Sequence, residues 1–383
     1  GLGDVYKRQI EKIQKEVPIM STNENKGKKA EVTALQAISA EDRKDWISLA
    51  FVQAGICVCV PAFLLGALLA EAMPIWPAII SGSLGYLIVV VGMVATGMIG
   101  CDLGLASCTC CQAGFGKSGA RFIVSTIFAV NMIGWFGIQN GVCGEAFSNA
   151  MLAMTGWDIP VVVSNTIWGI IMLLTAVYGV HALEKLDKIS IPLLMIIMCY
   201  GIFLAFKVYG TGNLNDEGTV QSMSFMSGVA LSFNFTAVGT ITGPDYTRFQ
   251  KSRKDTVKSV FYGVFPMGVI TLIMGIVLTK LSGQYDISMV LIEVGLPLLG
   301  IIALVISTWT TNSTNAYSAG LNIVMALKLK DNRRREATLI SGIVGIVLCD
   351  LGILGHVEGV LSLLSYVVCP VGGAVSYTHL RAH

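Results

Sequence analysis

Thr308-Trp-Thr-Thr-Asn-Ser-Thr-Asn315 is a polar block set inside an apolar stretch. Pro297-Leu-Leu-Gly-Ile-Ile-Ala-Leu-Val-Ile306 precedes it and Ala316-Tyr-Ser-Ala-Gly-Leu-Asn-Ile-Val-Met-Ala-Leu327 follows. The whole stretch exceeds the ~20 residues a helix needs to cross a bilayer. Hydroxyl and amide groups facing hydrocarbon are costly, so the block must face a protein-lined cavity or another helix. It is the first place to expect a ligand or an ion.

Composition agrees with a membrane setting. Hydrophobic residues make up 54% of the chain and charged residues only 13%, about half the share of a soluble domain. With a mean hydropathy of +0.70 this is the polytopic membrane class. The net charge of +2 is uninformative, because placement of the charges matters more than their sum. Of the 10 cysteines, Cys57, Cys59, Cys143, Cys199, Cys349 and Cys369 lie in apolar spans, where Cys acts as a small hydrophobe. Cys108, Cys110 and Cys111 form a tight cluster without a second ligand pair or a nearby His, so the spacing gives no metal site. A charged, polar leader precedes the first apolar span, and no cleavable signal peptide is evident. Residues 1–9 and 376–383 resemble translated adaptor sequence and stay outside fold reasoning, which makes Met20 the expected start and places further native chain beyond Val375.

Ten hydrophobic segments follow: 46–71, 75–99, 120–150, 160–180, 189–209, 222–245, 258–280, 297–327, 337–354 and 357–375. Loops after even-numbered spans are rich in Lys and Arg, among them Lys117, Arg121, Lys185, Lys188, Arg248, Lys251, Arg253, Lys254, Lys328 and Arg333. Loops after odd-numbered spans carry only Lys207 and Lys280, and the leader carries Lys26, Lys28, Lys29, Arg43 and Lys44. Positive residues stay on the cytoplasmic side, so the N-terminus is expected inside the cell.

The spans divide into two fives, 46–209 and 222–375. Span 1 enters from the cytoplasm and span 6 from outside, so any likeness between the halves is inverted. These two spans also carry interior breaks. Gly55 and Pro61 interrupt Phe51-Val-Gln-Ala-Gly-Ile-Cys-Val-Cys-Val-Pro61, and Gly239, Gly243 and Pro244 interrupt Asn234-Phe-Thr-Ala-Val-Gly-Thr-Ile-Thr-Gly-Pro244. Matched interruptions in two halves point to a carrier's midplane site, where broken helices offer backbone dipoles to an ion or polar solute.

Within span 3, Trp135 and Gln139 stand one helical turn apart and share a face. A flat heteroaromatic solute needs a surface to stack on and an amide that both donates and accepts along its edge. Trp135 supplies the first and Gln139 the second.

Four segments carry a family resemblance: Asn131-Met-Ile-Gly-Trp-Phe-Gly-Ile-Gln139, Gly239-Thr-Ile-Thr-Gly-Pro-Asp-Tyr-Thr-Arg-Phe249, Trp309-Thr-Thr-Asn-Ser-Thr-Asn-Ala-Tyr-Ser-Ala-Gly-Leu321 and Pro370-Val-Gly-Gly373. Over residues 46–375 the chain resembles the bacterial cytosine permeases of the nucleobase:cation symporter-1 family. That resemblance implies an all-α, leucine-transporter-like fold of two inverted five-helix repeats, with two further helices past the tenth. It also implies import of a nucleobase by Na⁺ or H⁺ symport in the bacterial cytoplasmic membrane, cytosine first, with purine, allantoin or hydroxymethylpyrimidine as the alternative. Cytosine permeases carry Gln three residues before the stacking Trp, and here that position is Met132.

The resemblance assigns further residues. Ser232 and Phe233 would present backbone and a second ring to the solute; the alignment needs a one-residue adjustment, so Phe235 stands as a substitute. Hydroxyls of Thr310 and Thr311 and the carbonyl of Ser307 would meet the carbonyls of Gly55 and Val58 in an oxygen-only shell suited to a hard monovalent cation. Asn312 or Asn315 would bond the solute edge. Outside these sets, Glu145 is the first candidate for a titrating group, and Asp245 and Arg248 for an inner gate pair. The sequence points to no cofactor beyond the coupling ion, and to no nucleic acid or obligate protein partner. A membrane enzyme would need paired catalytic groups such as His/Asp or Ser/Lys within the spans, and the clear candidates, His181 and His356, lie at span edges.

Overall fold

A chain that buries its backbone in lipid must satisfy every amide internally, and helices do this segment by segment. The computed structural model describes residues 35–211, 214, 223–283, 287–356, 363, 366–368 and 370–374. The helices run α1 Trp46–Cys57, α2 Val60–Ala72, α3 Ile75–Leu103, α4 Ser107–Cys110, α5 Gln112–Gly119, α6 Ser125–Thr155 and α7 Val161–Val177. They continue as α8 Val180–Tyr209, α9 Phe225–Thr236, α10 Gly239–Thr247, α11 Arg253–Ser282, α12 Ile287–Glu293, α13 Pro297–Ala326 and α14 Arg334–Asp350.

Among the described residues, five helical stretches are long and apolar enough to cross a membrane: Ile75–Leu103, Gln112–Thr155, Val180–Tyr209, Phe225–Thr247 and Arg253–Ser282. The bent pair α1–α2 makes a sixth. Helix α13 is long enough at 30 residues, but its polar block dilutes its hydropathy below the others. Helices α7 and α14 are shorter, at 17 residues each. The expected segments from 46–71 to 337–354 each overlap a helix, while most of 357–375, the leader lysines Lys26, Lys28 and Lys29, and both end segments lie outside the described residues.

Segment five departs from expectation. Helix α8 begins at Val180, not at residue 189, so Glu184, Lys185, Asp187 and Lys188 are helical. The reason is amphipathicity: Leu183, Asp187, Ser190, Ile191 and Leu194 form one buried stripe, which carries the helix through the charged stretch.

The two breaks also differ. Helix α1 ends where Val58 (φ −88°, ψ 76°) and Cys59 (φ −144°, ψ 159°) leave helical geometry, and α2 restarts with Pro61 in its first turn, where no amide donor is needed. The axes of the pair bend by 53°. Between α9 and α10 the chain stays near helical geometry but tightens: the amides of Thr240 and Ile241 bond back three residues, to Ala237 and Val238.

Helix α13 packs against α6, α14, α8 and α7, while α11 packs against α1, α2 and α3. Close approach needs small residues. A Cβ at Gly66 on α2 would lie 2.6 Å from the Leu272 carbonyl of α11, and one at Gly275 on α11 would lie 2.5 Å from the Phe63 carbonyl. Outward faces of α3, α7, α8 and α14 display Ile88, Val91, Ile167, Ile196, Phe203 and Ile343, an apolar surface suited to lipid.

One end of the bundle gathers charge. Lys44 pairs with Glu184, Lys188 reaches Glu184 at 2.7 Å, and Arg253 grips Asp102 with both ends of its guanidinium at 2.7–3.0 Å. Arg43 donates to the carbonyls of Cys101 and Gln250 beside them. The leader and the starts of α8 and α11 therefore meet the end of α3 on one face.

Candidate functional site

Both interruptions open on one cavity. The α1–α2 break contributes Gln53, Cys57 and Cys59, and α3 contributes Tyr86 and Met93. Helix α6 adds Met132, Trp135 and Gln139; the α9–α10 junction adds Phe235, Gly239 and Tyr246; α13 adds Thr311, Thr314 and Asn315.

Trp135 and Gln139 share the cavity face of α6 because one helical turn separates them. Trp135 is 8% exposed and meets Phe235 edge-on, ring centroids 6.4 Å apart at 64°. Carbonyl oxygens of the Gln139 and Gln53 side chains have no hydrogen-bond partner among the described residues, leaving two buried acceptors beside the rings. Gln53 is fixed through its amide, which donates to Ser259 at 3.3 Å.

Three assigned residues stand away from the cavity wall. Ser232 is fully buried against α3, where its hydroxyl donates to the Gly82 carbonyl at 2.7 Å. Phe235 lines the cavity and Phe233 does not, since two residues along a helix rotate the side chain to another face. Asn312 lies one layer behind: its amide donates to the Phe136 carbonyl at 3.1 Å, and its oxygen accepts from Asn315 at 3.4 Å. Asn315 therefore faces the cavity and Asn312 braces it.

At the edge of the cavity, α13 meets the end of α1. The Thr311 hydroxyl lies 2.7 Å from the Gly55 carbonyl and 3.2 Å from that of Ser307. The Thr310 hydroxyl lies 3.3 Å and 3.2 Å from the same two oxygens. Val58 sits at the break itself, fully buried, with its backbone out of helical geometry. These donors are hard oxygens without sulfur or nitrogen, a set that fits an alkali cation.

Other candidates fall elsewhere. Glu145 is exposed on α6, away from the cavity wall. Asp245 is buried and accepts from the Ser107 amide at 2.8 Å, while Arg248 is fully buried and donates to the Tyr317 hydroxyl at 2.6 Å. Asp245 thus ties α10 to α4, and Arg248, just past the end of α10, ties it to α13. Sequence reasoning passed over Gln53, although an amide just before a helix break was a readable signal. It also passed over Asp187, because the charges around it suggested a loop.

A family model described as permease for cytosine/purines, uracil, thiamine, allantoin matches residues 38–382. The chain belongs to that family. The permease is therefore a multi-pass membrane transporter and not an enzyme. It is 28% identical over 342 residues to the cytosine permease of Escherichia coli (strain K12), covering 88% of this chain and 78% of the relative. It is 22% identical over 371 residues to the allantoin permease of Bacillus subtilis (strain 168), covering 88% and 75%. Its fold is that of Mhp1, a nucleobase-cation-symport-1 family transporter solved in a closed conformation with bromovinylhydantoin bound. That match has a TM-score of 0.79 at 17% identity and covers 91% of this chain and 81% of Mhp1. The permease is thus of the leucine-transporter-like class, as the sequence implied.

Proposed function

We propose that this permease imports a nucleobase, cytosine in the first place, by Na⁺ symport. It works across a bacterial cytoplasmic membrane with its N-terminus inside. One observation carries the reading: a single cavity joins a stacking ring, orphaned amide acceptors and an oxygen set at a helix break. The solute lies against Trp135 with Phe235 turning to close its other side. Its N–H edge bonds the acceptors Gln139 and Gln53, and Asn315 completes the edge. Stacking contributes about 1–3 kcal/mol per base.

Na⁺ is the second cargo. Gly55, Val58, Ser307, Thr310 and Thr311 hold it, drawing α1 onto α13. Because α1 also lines the solute cavity, each ligand favours the same closed arrangement and tightens the other. Residues 46–209 and 222–375 form the two inverted repeats, and rocking of one against the other alternates access. The charged bundle end around Arg43, Lys44 and Arg253 faces the cytoplasm.

Proteoliposomes loaded without Na⁺ test the proposal. Radiolabelled cytosine should accumulate under an inward Na⁺ gradient and be displaced poorly by purines, allantoin and hydroxymethylpyrimidine. Uptake that follows a proton gradient alone, or that a purine displaces better than cytosine, overturns the corresponding part.

A further inference from the structure

Asp187 has no role in the site so far, yet it lies against it. It is fully buried on α8, and neither carboxylate oxygen has a hydrogen-bond partner among the described residues. Its place is set by Gly55: a Cβ there would lie 2.7 Å from Oδ1, 3.0 Å from Cγ and 3.2 Å from Oδ2 of Asp187. The carboxylate thus packs on the Cα of the residue whose carbonyl accepts from Thr310 and Thr311.

The basic residues of α8 turn elsewhere. Lys188 is exposed and bonds Glu184 at 2.7 Å and Ser48 at 3.1 Å, and Lys185 is exposed. A buried carboxylate without a partner is strongly disfavoured as an ion. A cation arriving at the neighbouring oxygens removes that penalty, and those neutral oxygens gain a full negative charge beside them.

We propose that Asp187 supplies the negative charge of the coupling-cation site and acts with Gly55, Thr310 and Thr311 in holding Na⁺. This rests on the cation reading above and adds to it a ligand from a third helix. With α8 included, Na⁺ ties α1 to both α8 and α13, and a monovalent cation exactly neutralises the site's single charge. Divalent cations would leave an excess charge buried, so the site selects for valence as well as hardness.

The test is Na⁺ titration of the purified permease without solute, read by thermal shift and by ²²Na⁺ binding, with choline as the control. Wild type should show saturable Na⁺ stabilisation. Asp187→Asn should raise the half-saturating Na⁺ concentration by about tenfold or more, and Asp187→Glu by about three- to tenfold. Thr311→Ala separates the two readings. If Thr311→Ala loses the Na⁺ response while Asp187→Asn keeps the wild-type midpoint, the oxygen site stands and Asp187 has no part in it. If wild type shows no Na⁺ response, both readings fall. Should Asp187→Asn fail to fold, Asp187→Glu decides, and a wild-type midpoint in that variant overturns the proposal.

Discussion

Thr311 on α13 donates its hydroxyl to the Gly55 carbonyl on α1 at 2.7 Å, joining the polar block to the broken helix across 256 residues of sequence. A free carbonyl exists at this point because α1 stops two residues later at Cys57. A cation between them would meet a lone pair of each oxygen, with the threonine hydroxyl keeping its proton and turning it away, without moving either helix far.

Thr311→Ala should therefore act on the ion first. Loss of one oxygen ligand should raise the half-saturating Na⁺ concentration by about tenfold, with the cytosine affinity at saturating Na⁺ changed by less than about threefold. Uptake measured against Na⁺ concentration checks this. An unchanged Na⁺ curve removes Thr311 from the cation set.

Trp135→Ala should sharply reduce uptake at sub-saturating solute while the protein still reaches the membrane. Losing the stacking surface costs about 1–3 kcal/mol, a weakening of roughly 5- to 150-fold. Trp135→Phe should keep part of the affinity, because a smaller ring still stacks. Normal uptake by the alanine variant contradicts the stacking role.

The two phenylalanines of α9 separate cleanly. Phe235 meets Trp135 at 6.4 Å on the cavity wall and Phe233 lies off it. Phe235→Ala should weaken solute binding by about tenfold, and Phe233→Ala by less than about twofold. Equal losses in a binding assay would show that the junction turns differently in the bound state.

Asn315 and Asn312 should also part. Asn315→Ala removes a cavity amide and should raise the solute KM with little change in thermal stability. Asn312→Ala removes a 3.1 Å amide donor from the buried Phe136 carbonyl, which costs about 0.5–1.5 kcal/mol and should lower the melting temperature. The same variant should weaken solute binding only through the loosened Asn315.

Much of this was legible in the chain because its signals are local. Trp135 and Gln139 share a face by helical spacing alone, and Thr310 and Thr311 stand out as hydroxyls in an apolar span. Gly55 and Pro61 announce the first break. Resemblance alone does not orient residues around the axis of α9: Phe235, the substitute, lines the cavity, while Phe233 and Ser232 do not. Burial by tertiary packing was not legible either: Ser232 satisfies Gly82, and Asn312 satisfies Phe136. Asp187 sits among residues whose charges imply a loop, and only the buried stripe Leu183, Asp187, Ile191, Leu194 reveals a helix there.

Equilibrium binding of radiolabelled cytosine to the purified permease, with and without saturating Na⁺, tests the central claim most directly. Coupling through α1 predicts that Na⁺ tightens cytosine binding by about 5- to 150-fold, with cytosine tightening Na⁺ by the same factor. An identical cytosine Kd in Na⁺ and in choline would contradict it.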